Sequence, residues 1–410
     1  MLPGSDRCSP WVHPGTTGCQ TEAMDETAAA FWLGSYTPGT GGTGEGSGVG
    51  VRALGREATG GLVPVSHHDA DSPSWVVQHP SLPVVFAAEE FSGLIKAFGA
   101  SHDGTLTRHG APVEVGGIVC HLSVSPDGAS LVAACYGDGR VVVLPLESDG
   151  RLSGRATDLE DARDPWGVPG APGSASDGFV SNGVAVLLGR KTETEPPVFE
   201  GEETAEARPS RAHTSRWLPD GRVATTDLGF DLVRFWRRGS SSAAPLVLDH
   251  EVTLPRGVGP RHLAWHESGH LHVLTEYSIE VFTLRAGLDG RFGVVAGAQA
   301  TADGAEDGDA AAEISVVGSR EHLHTSVRGS NRISTLQIRG DGSELRAVSD
   351  VESGGDHPRH HVEDGVVLHV ANQRSGAVDS FAIDERTGAP GRRIGSVEVG
   401  TPTCLAPARL

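Results

Sequence analysis

His262-Leu263-Ala264-Trp265-His266, then Glu267-Ser268-Gly269, then Leu271 to Thr275 and Ile279 to Leu284 follow one another along the chain. The runs are short, rich in Val, Leu, Ile and Phe, and separated by residues that favour tight turns, so they read as three antiparallel strands rather than as a helix. The first of them has counterparts elsewhere. Ser74-Trp75-Val76-Val77-Gln78, Cys120-His121-Leu122-Ser123-Val124, Ala212-His213-Thr214-Ser215-Arg216, Glu313-Ile314-Ser315-Val316-Val317 and Arg359-His360-His361-Val362-Glu363 line up with Arg261-His262-Leu263-Ala264-Trp265. Counted at the second residue of each copy, the steps are 46, 92, 49, 52 and 46. One small sheet cannot bury its own faces, so β-rich units at a period of about 40–50 residues stack around an axis as a propeller. The spacing predicts an all-β, seven-bladed β-propeller in which Phe31 to Tyr36 pairs in one sheet with residues near Val397 to Cys404, so that the N- and C-terminal strands close the ring.

The chain has 410 residues, with 56 Gly and 25 Pro, a turn-dense composition that suits many short strands. Acidic residues outnumber basic ones by 53 to 33, and the formal charge of −20 argues against a nucleic-acid or membrane-surface partner, which a basic patch would serve. The cysteines, Cys8, Cys19, Cys120, Cys135 and Cys404, are odd in number and scattered, so neither a disulfide framework nor a zinc site is expected. The first thirty residues have no basic and then apolar run of the secretory kind, and no long apolar stretch occurs, so a cytoplasmic protein is expected. Residues 1–23 carry no strand pattern and read as a disordered or mis-assigned leader before Met24, leaving 24–410 as a single propeller domain. Two stretches break the rhythm and read as surface insertions: about 155–210, where Gly183 to Gly189 could add a strand, and 300–312.

The start of a first strand and the end of the second lie at the same edge of a blade. Reading those two positions copy by copy gives one ring: Trp75 with Glu90, His121 with Tyr136, His213 with Asp227, Arg261 and His262 with Glu276, Arg328, and Arg359 and His360 with Asn372. Arginine forks suit carboxylate or phosphate, and His and Glu carry protons near neutral pH, so the ring suits an anionic small molecule and acid–base chemistry. The pairs His270/His272 and His322/His324 alternate on single strands without a visible third ligand, so no metal is expected. Phosphate loops and nucleophile elbows are absent, and no cofactor is expected.

Gly34-Ser35-Tyr36-Thr37, Cys120-His121 before Ser125-Pro126-Asp127-Gly128, His213, Asp227-Leu228-Gly229-Phe230-Asp231, Gly257-Val258-Gly259-Pro260-Arg261-His262, Thr275-Glu276, Val370-Ala371-Asn372-Gln373 and Pro402-Thr403-Cys404 appear in that order. Together they resemble the bacterial 6-phosphogluconolactonase family of seven-bladed propellers, which includes fungal carboxymuconate-lactonizing enzymes. The chain departs from the family pattern at Arg211, Val119, Cys135 and Val327. The resemblance implies His213, Arg261, Glu276 and Arg328 as catalytic positions, and His121, His262, Glu90, Arg359 and Asn372 are the candidates for binding substrate. It implies hydrolysis of a sugar δ-lactone, with 6-phosphogluconolactone first. A cycloisomerase closing a carboxy-cis,cis-muconate to its lactone is the alternative, and a non-catalytic propeller scaffold that recruits a protein is the rival from another class. Whether His213 or Glu276 acts as the base stays open at the level of sequence.

Overall fold

The computed structural model describes residues 28–39, 46–167 and 208–410, and these form seven antiparallel sheets, six of four strands and one with an added fifth. The innermost strands are Pro73–Gln78, Val119–Val124, Ala212–Trp217, Pro260–His266, Ala310–Val316, Pro358–Asp364 and Pro402–Pro407. Each touches the inner strands of the blades on either side, and the last touches the first, so the ring is closed around a central channel. Inner and second strands are covered on both faces by neighbouring blades and are almost continuously buried. The outer strands Glu344–Glu352 and Pro390–Glu398 show water one face and read as mixed polar sequence.

Closure joins the two ends of the chain in one blade. Phe31–Ser35 pairs with Pro402–Pro407, placing Phe31 opposite Pro407, Leu33 opposite Leu405 and Gly34 opposite Cys404. The C-terminal segment thus supplies the innermost strand, and Phe31–Ser35, Val51–Arg56 and Leu62–His68 supply the other three. The expected closing segment is corrected at its start. Val397 belongs to Pro390–Glu398, which pairs with Ala377–Ile383 and finishes the preceding blade. The chain crosses between blades at Gly400, whose φ of 74° suits glycine and whose missing side chain makes room for the Ser47 carbonyl.

The core lies between blades rather than in one centre. Phe86 and Ile95 of one sheet pack with Leu122 and Leu131 of the next, and Phe235 packs with Leu271, Val273 and Phe282 across another boundary. Large apolar side chains here cost several kcal/mol to truncate, which ties each blade to both neighbours.

The insertions are shorter than the sequence suggests. Thr157–Asp158 is a strand that pairs with Val141–Pro145 as the outer edge of its blade, so the irregular region does not begin at 155. Gly183 to Gly189 and the leader 1–23 lie outside the described residues. Ala310–Ala312, expected in a surface loop, instead opens an inner strand, and Ala311 and Ala312 are buried. Alanine is small enough to read as loop where it in fact packs.

A chain ending at Gly400 lacks the inner strand of the closing blade. It should lose cooperative thermal unfolding by circular dichroism; a cooperative melt close to that of the full chain would show that closure does not hold the ring.

Candidate active site at the channel mouth

In a regular strand, neighbouring side chains point to opposite faces, so Arg261 and His262 could not both serve one site. The register resolves this. Pro260 pairs with Thr275 and His262 with Leu274, leaving Arg261 as an extra residue with no partner. The same one-residue shift occurs in all seven blades: in five the extra residue is Ser74, Cys120, Arg261, Arg359 or Thr403, and in the other two His213 with Thr214, and Ala312 with Glu313, stand opposite a single residue, His213 and Ala312 taking the equivalent place. A β-bulge of this kind re-aims a side chain while the strand continues beyond it. Three of the seven bulged residues are His213, Arg261 and Arg359. Past the bulge, the next residues form a second layer: Trp75, His121, Thr214, His262, Glu313, His360 and Cys404.

Facing the bulges is the residue just beyond each second strand. The backbone N–H groups of Tyr36, Glu90, Tyr136, Leu228, Glu276 and Gln373 each donate to the carbonyl just ahead of the neighbouring inner strand, which identifies them as equivalent. Arg328, directly after Val327 in its own ladder, takes this place in the remaining blade. The site is therefore built where these two rings meet. Glu276 Oε2 lies 2.8 Å from Arg261 Nε and 3.0 Å from a terminal nitrogen of Arg328. The Arg261 N–H does not point along that line, so the contact is an ion pair rather than a directed hydrogen bond. Arg261 also donates to the Ala312 carbonyl, and Arg328 donates to those of Ala310 and Ala311 at 3.2 and 3.0 Å. Arg359 stands 3.6 Å from Glu90 and 5.1 Å over the Tyr36 ring, while the Tyr36 hydroxyl donates to Glu90 at 2.9 Å.

Local devices hold these positions. Asp231 accepts from the Gly257 and Gly259 N–H groups at 2.8 and 2.9 Å, fixing the loop that delivers Arg261. Gly34 lets its strand approach the next blade, because a Cβ there would sit 2.2 Å from the Pro73 carbonyl oxygen. That approach brings Tyr36 to Glu90.

Three guanidiniums against Glu276 and Glu90 leave one net positive charge (3 − 2) in a chain of formal charge −20. The side chains of Glu276, Arg328 and Arg359 are 18, 12 and 18 % exposed, and Arg261 lies deeper at 4 %. Burial, with Arg328 beside it, pushes the Arg261 pKa down to about 10. Burial and then Arg261 hold His213 and His262 well below the usual histidine range, so both rings are neutral at neutral pH. His213 Nδ1 is buried and has no hydrogen-bond partner among the described residues.

His121, His262 and His360 pack around Trp75 with ring centroids 4.1, 5.6 and 5.2 Å away, and His213 meets His262 at 5.2 Å. Glu313 closes this layer, its Oε2 lying 2.8 Å from His262 Nδ1 and 3.3 Å from His360 Nε2. Burial pushes the Glu313 carboxyl up. Glu313 and Tyr36 were not singled out from sequence. The first is hidden in the sequence because its copy lines up on Ile314, one residue past it, and only the bulge in the structure shows the offset.

Two residues of the expected ring serve the blade instead. Asn372 pairs opposite Pro358, one place before the ring, and its amide donates to the Ser353 carbonyl at 2.8 Å and to Asp379 at 2.7 Å. Gln373 holds the ring position and accepts from Arg359 at 3.3 Å. Asp227 likewise accepts from the Arg211 and Phe230 N–H groups at 2.8 and 3.0 Å. A slip of one residue turns a strand side chain to the other face, which is why Asn372 and Asp227 look like ring members in sequence and are not. Among the described residues, no three His, Cys, Asp or Glu side chains converge as a metal-holding group.

The fold and this mouth together define a propeller with a cationic, histidine-backed site at one end of its axis. The family model described as Lactonase, 7-bladed beta-propeller matches residues 30–407, and the chain belongs to that family. A Bacillus subtilis protein named 6-phosphogluconolactonase is 24% identical over 355 residues, covering 82% of this chain and 86% of that one. A Pectobacterium atrosepticum protein of the same name is 25% identical over 299 residues, covering 72% and 75%. Among solved structures, the Pseudomonas aeruginosa periplasmic gluconolactonase shares the fold with a TM-score of 0.73 at 22% identity, covering 93% of this chain and 99% of that one.

The register makes a direct prediction. Asn372→Ala should destabilise the protein by about 1–3 kcal/mol, the cost of orphaning buried hydrogen-bond partners, while Gln373→Ala should leave stability nearly unchanged. Urea unfolding of the two variants decides it; equal effects would mean that the two positions are exchanged.

Proposed function

We propose that the protein hydrolyses a sugar δ-lactone at this mouth, with 6-phosphogluconolactone as the substrate. The observation that carries the reading is the meeting of three arginines with a neutral imidazole whose Nδ1 is unpartnered, in a chain of the lactonase family. Arg328 and Arg359, the more exposed pair, suit the phosphate. Arg261, deeper and held on two sides, suits the lactone carbonyl oxygen, where negative charge develops as water adds. Glu276 is already committed to two guanidiniums, which makes it a positioning residue for both. His213 is then the base. Its Nδ1 takes a proton as the water oxygen bonds to the carbonyl carbon. The tetrahedral oxyanion collapses with cleavage of the bond to the ring oxygen, which receives that proton. The acid released ionises at neutral pH.

Assay of the purified chain on fresh 6-phosphogluconolactone, corrected for spontaneous opening, tests the reading against unphosphorylated gluconolactone and against carboxy-cis,cis-muconate. Turnover of the muconate alone would establish the cycloisomerase, and turnover of none of the three would leave a binding propeller. Arg261→Ala should lower kcat/KM by about 10²-fold or more, on the scale of one oxyanion donor, and Arg261→Lys should restore little because an ammonium lacks the fork. Glu276→Gln, which leaves two close guanidiniums without their shared carboxylate, should lower both kcat/KM and the melting temperature. With His213 held well below the usual histidine range, kcat/KM with gluconolactone should be flat across neutral pH, fall at low pH as His213 takes up a proton, and fall again toward pH about 10 as Arg261 loses its charge. A profile that rises through pH 7 would exclude His213 in this role.

A further inference from the structure

Behind the histidine layer the axis opens into a cavity of about 730 Å³ that runs toward the opposite mouth, past Trp217, Trp265 and Arg409. Its near wall is Trp75, His121, His262, Glu313 and His360, the back of the site described above. Two residues beyond Thr214 on the same inner strand, and so on the same face, is Arg216. Arg216 lines this cavity and is open to water there, yet burial pushes its pKa down, as for a guanidinium enclosed by protein.

Arg216 lacks the partners that arginines at the other mouth have. Among the described residues, no carboxylate comes within ion-pair distance of it. Its one hydrogen bond runs to the Leu263 carbonyl at 3.4 Å, the limit of such a contact. Thr214, 3 % exposed, also lines the cavity, and its Oγ1 has no partner. The surrounding wall is otherwise spoken for or apolar. Ser123 bonds to Ser215 at 2.8 Å, Ser315 bonds to His361 and Glu363 at 3.0 and 3.1 Å, and Val77, Val362, Ala264 and Ala406 complete the level. Glu313, in the wall of the same cavity, attracts Arg216 from beyond ion-pair distance, so the guanidinium keeps its fork free for an anion that can come closer.

We propose that this chamber is a second binding site, separate from the mouth, for a small organic carboxylate whose head engages the Arg216 fork and the Thr214 hydroxyl while its apolar body fills the channel. The fork matches a carboxylate in plane and spacing. The volume far exceeds what an inorganic anion fills, and the tryptophan and valine walls favour an apolar body over a polyol. The exposed Arg409 adds positive charge at the opening. The proposal does not rest on the lactonase reading, since its test measures binding and not turnover.

Benzoate is the probe, titrated calorimetrically into the full chain, with benzamide as its neutral match. Benzoate should bind and benzamide should not. Arg216→Met should weaken benzoate at least about tenfold, the loss of a charge-assisted pair, while Arg261→Met at the other mouth should change it less than about twofold. Without ligand, Arg216→Met should melt no lower than the parent, because the charge it removes has no carboxylate in ion-pair contact among the described residues. Crystals of the parent soaked in 4-bromobenzoate give an independent reading, with the carboxylate within hydrogen-bond distance of Arg216. Equal binding of benzoate and benzamide, no binding at millimolar concentration, loss of binding in Arg261→Met but not in Arg216→Met, or bromine density at the arginine mouth alone would each overturn the proposal.

Discussion

One extra residue in each inner strand is the constraint on which the site depends. A strand without a bulge can offer the channel every second side chain only, so a blade would bring either Arg261 or His262 to the axis. The bulge between Pro260 and His262 lets the chain offer both, and the equivalent shift does the same for Arg359 and His360. Because the shift recurs at the same height in every blade, the bulged residues come into one plane and the residues after them into the next. The outer plane holds His213, Arg261 and Arg359; the inner holds Trp75, His121, His262, Glu313 and His360. The blades tolerate the irregularity because the strands on either side of it are locked by apolar contacts between sheets.

The two planes also divide the electrostatics. At the mouth, each arginine has a carboxylate within reach, but the balance stays positive and Glu276 is shared by two guanidiniums. This arrangement is weak as a source of stability, since buried ion pairs roughly repay their desolvation, and strong as a way of holding forks in place for a ligand. His213 in the same plane and His262 in the one beneath are neutral because burial and the neighbouring arginines both disfavour their protonated forms. A neutral ring can take a proton where a charged one cannot, so in the proposed reaction the cations that would bind an anion also keep His213 able to accept a proton. Further along the axis, Arg216 has Glu313 only at a distance and no carboxylate in ion-pair contact among the described residues, which leaves its fork free for the proposed carboxylate ligand.

The sequence by itself determined the architecture. Short alternating runs at a period near 50 residues can be buried only by stacking, and the turn residues between them leave antiparallel sheets as the arrangement. It also pointed to the polar end of the blades, and His213, Arg261, Glu276 and Arg328 could be picked out there because ionisable residues stand out in strands otherwise made of Val, Leu, Ala and Ile. Tertiary structure alone decided which face each residue takes. A bulge leaves little mark in composition, and shifting the count by one residue exchanges the two faces of a strand. That is why Asn372 and Asp227 read as channel residues and prove to be internal to their blades, why Gln373 and Glu313 were passed over, and why Ala310–Ala312 reads as loop and is strand. Arg216 shows the same limit: its sequence neighbours describe a strand, but only the closed ring of seven shows that its charge faces the axial cavity without a carboxylate in ion-pair contact among the described residues.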